Sequence, residues 1–429
     1  MRSKQTAPLQ AAFRRRVLRT LSDWLVTAGV LDGGHAFVGP QCVQIDLTNH
    51  CNNRCIACWC RSPLLGTARI SPAAEAQELP WRLVDRTLRE LAAIGTREII
   101  FSGGGEPTLY PGLFHAIAVA KQHGMHCALN TNFVAADRSA SQRLASSGLD
   151  HLTVSLWAAA GETYAVTHPG RTAEDFSRIT ARVGALRRQR GRRGRPRIKI
   201  HNVLMPSNWR ETGAMVSLAR RLGVDEVEFS LVDPVAGATD SLLLSDGEVD
   251  LLLVQIEALR TTHTTPPAIL NLADLTRRLR CRGRSHGRYD EGLFEATPCT
   301  IGWTFARVLA DGKVAPCLKA HRAPCGNLHE SGFSDIWFGP AMNTFRRLCS
   351  DRAAADPFWR RIGNRSGEAI GCELSCDNLD RNRAVTSTTG RREKILSRRP
   401  FSVAAKLLLR TLQPVGGAGM TSGECGAAQ

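Results

Sequence analysis

The chain has 429 residues, 43% of them apolar, a length that suits one large domain with a smaller companion and a composition that supports a buried core. Its formal net charge of +17 raises the question of a polyanionic partner, but the basic runs, chiefly 187–197, lack the interleaved aromatics that stack on bases, which disfavours nucleic acid. No run of about 18 apolar residues occurs, which excludes an ordinary membrane-spanning helix. Fourteen cysteines without an export signal point to metal binding in a reducing cytoplasm rather than to disulfides.

Residues 1–40 read as a helical extension. Arg14, Arg15, Arg16 and Arg19 precede Trp24-Leu25-Val26, and Ser22 and Asp23 interrupt the apolar part, so an amphipathic helix packed on the main domain is expected. A short β-type run, Val43 to Leu47, follows and leads into Cys51-x3-Cys55-x2-Cys58. Thiolates are the usual ligands of iron-sulfur clusters and of structural zinc. The count of three is informative, because a structural zinc site takes four closed ligands whereas a reactive centre keeps one position open. A zinc knuckle completed by Cys60 or His50 is the alternative.

Residues 62–80, rich in Ala, Gly and Pro, read as loop. Regular alternation then begins, with a helix over Trp81 to Ile94 ended by Gly95 and a buried strand over Glu98 to Phe101. It continues as helix 113–123, strand 125–130, helix 138–147, strand 151–156, helix 172–188, strand 198–204, helix 210–222 and strand 226–231. Six strands separated by helices imply parallel pairing through right-handed crossovers, and no Gly-x-Gly-x-x-Gly turn follows the first strand, which disfavours a dinucleotide-binding fold. Residues 245–281 read as helical with a short strand at Ala268-Ile269-Leu270.

Polar and glycine-rich residues sit at the ends of these strands. Ser102-Gly103-Gly104-Gly105-Glu106-Pro107 follows the second strand, where successive glycines allow a sharp turn and a close approach. Asn130 ends the third strand and Ser155 lies in the fourth.

From Cys299 the texture changes. Cys299 and Cys317 flank Leu309 to Val314, a hairpin with a favoured Asp-Gly turn that returns the chain and brings the two thiols together. Cys372 and Cys376 come later, Cys325 and Cys349 are unassigned, and Cys42, Cys60, Cys127, Cys281 and Cys425 read as ordinary core or surface cysteines. Domains are expected at 41–285 and 286–382, followed by a basic tail, 383–429, with a helix over Phe401 to Leu412 and a disordered end.

The Cys-x3-Cys-x2-Cys spacing, with a Gly-Gly-Glu-Pro turn one βα unit later, closely resembles the radical S-adenosylmethionine (SAM) enzymes over roughly 43–380. The resemblance implies an α/β fold, a partial TIM barrel of six βα units. It implies a 4Fe-4S cluster on Cys51, Cys55 and Cys58 that binds SAM, with Gly104, Gly105 and Glu106 on the methionyl amino group and Asn130 and Ser155 near the ribose and carboxylate. Many members carry an aromatic residue before the third cysteine, near the adenine; here Ala57 stands there, and Trp59 is the substitute. The order of Cys299, Gly312, Cys317, Cys372 and Cys376 resembles the SPASM extension in its one-cluster form, twitch, and implies a second, auxiliary 4Fe-4S cluster on those four thiols. A zinc ribbon is the alternative.

The activity so implied is cleavage of SAM to a 5′-deoxyadenosyl radical that abstracts hydrogen from an aminocyclitol, sugar or peptide. The reaction would end in oxidation through the auxiliary cluster, with flavodoxin or ferredoxin as electron donor. An epimerase using Cys325 as hydrogen donor is a second reading. A zinc-stabilised basic nucleic-acid-binding module is a third, from another class, and leaves the Gly-Gly-Glu turn unexplained.

Overall fold

The structure, a computed structural model, describes residues 6–191, 194–262, 266–351, 356–364 and 371–396. The expected helix over Phe401 to Leu412, Cys425, and Arg192 and Arg193 of the basic run lie outside the described residues. Seven strands run parallel in sequence order: β1 (Cys42–Asp46), β2 (Glu98–Ser102), β3 (His126–Thr131), β4 (His151–Ser155), β5 (Arg197–Leu204), β6 (Glu226–Leu231) and β7 (Ala268–Leu270). The short run at 268–270, the weakest of the strand signals, pairs with β6 and adds a seventh strand to the six expected. Helices such as Trp81–Ala93, Ala173–Gln189 and Thr212–Leu222 fill the crossovers. The first buries Leu83, Val84, Leu88 and Leu91 on one stripe and stops at Ile94, followed by Gly95 with φ of 92°. Thr172 and Asp175 form a reciprocal cap at the start of the second, and Gly223 in the left-handed region ends the third.

The sheet continues past β1 on its other edge, through β8 (Phe305–Val308), β9 (Lys313–Ala315) and β10 (Gly326–Asn327), in the order β10-β9-β8-β1-β2. β8 pairs parallel with β1, while β8, β9 and β10 pair antiparallel in turn. The Asp311-Gly312 turn has the hairpin form read from the sequence, with Gly312 at φ of 83°. The cysteine-rich segment is therefore bonded into the same sheet as the barrel strands. Helix Leu379–Leu396 runs across position 383, where the tail was expected to begin, and its Arg392 donates to Asp23 O (2.7 Å) on the N-terminal helix Thr6–Asp32.

β1 serves two cores because side chains alternate across a strand. Val43 and Ile45 join the large core with Ala306 and Val308, whereas Cys42 and Phe305 join a second core with Val26, Trp303, Phe345 and Trp359. Gln44 is in register with Arg307, so Asp46, two residues on, shares that face. Arg307 donates through Nε (2.9 Å) and Nη2 (2.7 Å) to Asp46 Oδ2, and Gln44 Nε2 donates to Oδ1 (2.9 Å). Both ions are buried, at 6% and 1% exposure. A buried carboxylate stripped of its partner costs about 3–5 kcal/mol. Arg307→Met should therefore lower the unfolding free energy by about that amount, and the double variant Asp46→Asn/Arg307→Met should recover most of it; urea unfolding of the three proteins checks both.

Candidate active site

The carboxyl ends of β1 to β6 open on one cavity of about 350 Å³. Cys51, Cys55 and Cys58 line it, as do Gly104, Gly105, Glu106, Asn130 and Ser155. The structure thus brings together every residue read from the sequence for the first centre. Trp59 lines the cavity too, but its ring lies against His321 (4.7 Å between centroids) and beneath Arg307 (5.6 Å).

The cysteine loop is held by its neighbours. Arg61 donates to Gly104 O (3.3 Å), to Glu75 Oε1 (2.7 Å) and to Asn49 O, and Arg171 donates to Asn53 Oδ1 (2.7 Å) and Asn52 O. Ile56 N bonds to Thr167 O (3.0 Å), and Asn132 Nδ2 to Asn52 Oδ1 (2.8 Å). Nothing in the sequence marks Arg61 or Arg171, because their partners, backbone carbonyls, the Asn53 amide and the Glu75 carboxylate, are brought to them only by the fold.

The glycines allow a close approach of one loop to another. A Cβ on Gly105 would stand 2.3 Å from His50 O and one on Gly104 2.5 Å from Asn49 Oδ1, so these residues let the glycine turn lie against the cysteine loop. Glu106 N bonds to His50 O (2.7 Å) and fastens the two loops. The Glu106 carboxylate, 2% exposed, accepts from Thr108 N (3.0 Å), Thr108 Oγ1 (2.6 Å), Thr131 Oγ1 (2.5 Å) and Asn132 N (2.7 Å). It ties the turn to the end of β3. Burial raises its pKa above the usual carboxylate value, against the pull of these donors.

The thiols sit in unequal environments. Burial pushes Cys51 up to about 11 and Cys55 well above the ordinary thiol value. Cys60 Sγ lies 3.8 Å from Cys58 Sγ, and their hydrogen bond lowers Cys58 to about 7. Beside this loop the Asn53 side chain lies against the Cys55 thiol and the Tyr164 hydroxyl, and buried His168 Nε2 has no hydrogen-bond partner among the described residues. His168 stacks on Tyr164 (4.2 Å) and is held near pKa 3 by burial, hence neutral. Trp157, two residues past the end of β4, has φ of 57° and packs in an apolar group with Cys55, Ile56 and Ala57. A bulky residue in the left-handed region is strained, and such strain gathers at functional sites.

At the far side of β1 the structure gathers a second set of thiols. Cys299 and Cys349 lie side by side, and Cys349, its thiol pKa raised by burial, also lies near Cys317 and Cys372. Cys372 in turn feels Cys376, Cys317 and Cys299. Cys349, unassigned from sequence, thus joins the four expected thiols; it stands on helix Pro340–Asp351, whose apolar stripe gives no hint of a ligand. Asp290 holds Cys376 N (2.6 Å) and is paired with Arg277 (2.5 Å) and Arg278 (2.8 Å). Among the described residues no three His, Cys, Asp or Glu side chains converge tightly enough to hold a single metal ion. Cys325 does not line the cavity; it packs between the two cores beside Arg346 and Arg361, with burial raising its pKa to about 12. All thirteen cysteines among the described residues are free.

The chain matches the model of the radical SAM superfamily over residues 45–219 and that of SPASM, an iron-sulfur cluster-binding domain, over 299–357. It belongs to the radical SAM superfamily and carries a C-terminal SPASM domain. A 4Fe-4S cluster, SAM and auxiliary iron-sulfur chemistry go with that membership. Among curated proteins it is 26% identical to a PqqA peptide cyclase of Methylocella silvestris, over 72% of this chain and 77% of that one. It is 24% identical to an AdoMet-dependent heme synthase of Methanosarcina barkeri, over 72% and 84%. In structure it is similar to Streptococcus suis SuiB bound to S-adenosylmethionine (TM-score 0.55, 16% identity, 72% of this chain and 68% of that one). It is also similar to anSMEcpe with bound AdoMet (TM-score 0.53, 14% identity, 82% and 96%). No helix among the described residues is long and apolar enough to cross a membrane.

Loop-on-loop packing makes Gly105 sensitive. Gly105→Ala should destabilise by about 1–3 kcal/mol through forced separation of the two loops and should reduce the iron retained after desalting. Gly213→Ala, on a helix with nothing within 4 Å of the new methyl, serves as the control and should leave both unchanged. Thermal unfolding and iron assay of the two variants check this.

Proposed function

We propose that the chain modifies a peptide by radical chemistry that starts with hydrogen-atom abstraction and ends in oxidation, such as bond formation. The observation that carries this reading is the convergence of Cys51, Cys55 and Cys58 with Gly104, Gly105, Asn130 and Ser155 on one cavity. Peptide is preferred over aminocyclitol or sugar because the curated relatives include PqqA peptide cyclases. Bound together, the first cluster and SAM supply hydrogen-atom abstraction from an unactivated carbon.

The residues present fit those groups. Three thiols leave a fourth coordination position for SAM, and the Asn53 amide beside the Cys55 thiol is a donor suited to anionic sulfur. Cys58, eased toward thiolate by Cys60, is prepared to bind iron. Glu106, with four donors on its carboxylate, acts as a positioning residue that holds the glycine turn and the end of β3 for the methionyl group. Ser155 and Asn130 would take the remaining polar part of SAM, and Trp59, which lines the cavity, would offer the apolar surface that Ala57 does not. The auxiliary cluster would be held by Cys299, Cys317, Cys372 and Cys376, with Cys349 as a fifth thiol of the same group. That cluster would provide the electron acceptor an oxidation needs. A reducing, cytoplasmic setting and a flavodoxin or ferredoxin as electron donor suit such oxygen-sensitive centres. The Cys325 epimerase reading finds no support in the placement of that thiol outside the cavity.

Anaerobically prepared protein should contain about eight irons per chain if both sites hold 4Fe-4S clusters. It should also form 5′-deoxyadenosine from SAM after reduction. Cys51→Ala should lose about half the iron and all 5′-deoxyadenosine, and Cys372→Ala about half the iron while SAM cleavage persists. Colourless protein holding zinc would overturn the reading.

A further inference from the structure

The cavity has a second wall that the SAM reading leaves unused. It is formed where β6 ends, at Ser230, Leu231 and Asp233, and where the chain leaves Cys376, at Asp377, with Trp157 and Val203 completing it. Two carboxylates face this space and share one cation. Lys319, only 5% exposed, pairs with Asp233 Oδ2 and reaches Asp377 Oδ2 at 3.9 Å. Asn364 Nδ2 also donates to Asp233 Oδ2 (2.5 Å). Arg278, which lines the cavity as well, is already taken by Asp290 (2.8 Å) and Asp274 (3.4 Å).

The balance of charge and exposure singles out Asp377. Lys319 is committed to Asp233, and the Asp377 side chain remains 42% exposed. The wall therefore offers an accessible carboxylate with its nearest ammonium already shared, next to the apolar Trp157, Val203 and Leu231. Trp157 adds an independent mark of a ligand: 9% exposed and lining the cavity, it carries an indole N–H with no partner among the described residues. A cationic head on an aliphatic stem, followed by a peptide carbonyl for the indole, complements this combination.

Resting on the assignment of the other wall to SAM, we propose that Asp377, backed by Lys319 and Asp233, binds the cationic side chain of a lysine or arginine in the peptide substrate. Its place beside Cys376 sets that residue of the substrate between the SAM site and the auxiliary thiols. Asp377 then determines which peptide is accepted.

The test uses holoenzyme reconstituted anaerobically with iron, sulfide and SAM, titrated by NMR with three blocked tripeptides, acetyl-Gly-X-Gly-amide, where X is lysine, arginine or norleucine. Lysine or arginine should bind about tenfold or more tighter than norleucine, a difference of about 1.4 kcal/mol. Asp377→Asn should remove that preference and Asp377→Glu should keep most of it, with iron content unchanged in both. Equal binding of norleucine, no binding of either cationic peptide, or a preference that survives Asp377→Asn overturns the proposal. Iron content and 5′-deoxyadenosine formation of the unmutated holoenzyme are measured alongside. Their loss overturns the SAM reading, whereas their presence without a cationic preference overturns the subsite alone.

Discussion

The buried pair of Asp46 and Arg307 is the constraint on which the rest depends. Asp46 ends β1, and the cysteine loop begins a few residues later; Arg307 lies on β8, from which the hairpin carrying Cys317 departs. Two opposite charges held 2.7 Å apart with little water around them attract far more strongly than the same pair at the surface. Backbone pairing of β1 with β8 adds a directional link, and Arg307 Nη1 donates onward to Leu318 O (2.9 Å), next to Cys317. Both thiol groups are therefore fixed to one strand. A shared strand sets the separation of the two thiol groups without relying on a flexible interdomain contact.

Within the site, the main demand is that two loops touch. The glycine turn and the cysteine loop come from different strands, and their contact is closed by Gly104, Gly105, the Glu106 amide and Arg61. The Glu106 carboxylate, held by four donors, ties the glycine turn to the end of β3. On the opposite flank Arg171 closes the loop from beyond the fourth strand. The loop thus meets its cofactors already ordered, which lowers the entropy lost on binding.

Much of this was legible in the sequence for definite reasons. Helical and strand periods identify the crossovers because each element buries one face, and capping residues such as Thr172 and Gly223 mark ends. The cysteine triad and the glycine turn are short, local patterns whose chemistry survives being read out of context. The join between the barrel and the cysteine-rich segment was not legible. Phe305 to Val308 is only four residues long, with Arg307 in its middle, and no local signal says that it pairs with β1 rather than starting a separate sheet.

What the sequence determined by itself was the order of elements and the class of chemistry, since periodicity and ligand spacing are properties of neighbouring residues. What only the tertiary structure decided were the long-range meetings: Arg61 and Arg171 on the cysteine loop, Cys349 among the auxiliary thiols, and Asp377 with Asp233 around Lys319. Each joins residues far apart in the chain through contacts that depend on how strands and helices pack. A side chain's partner in such a contact is set by the shape of the fold, and local sequence carries no record of it.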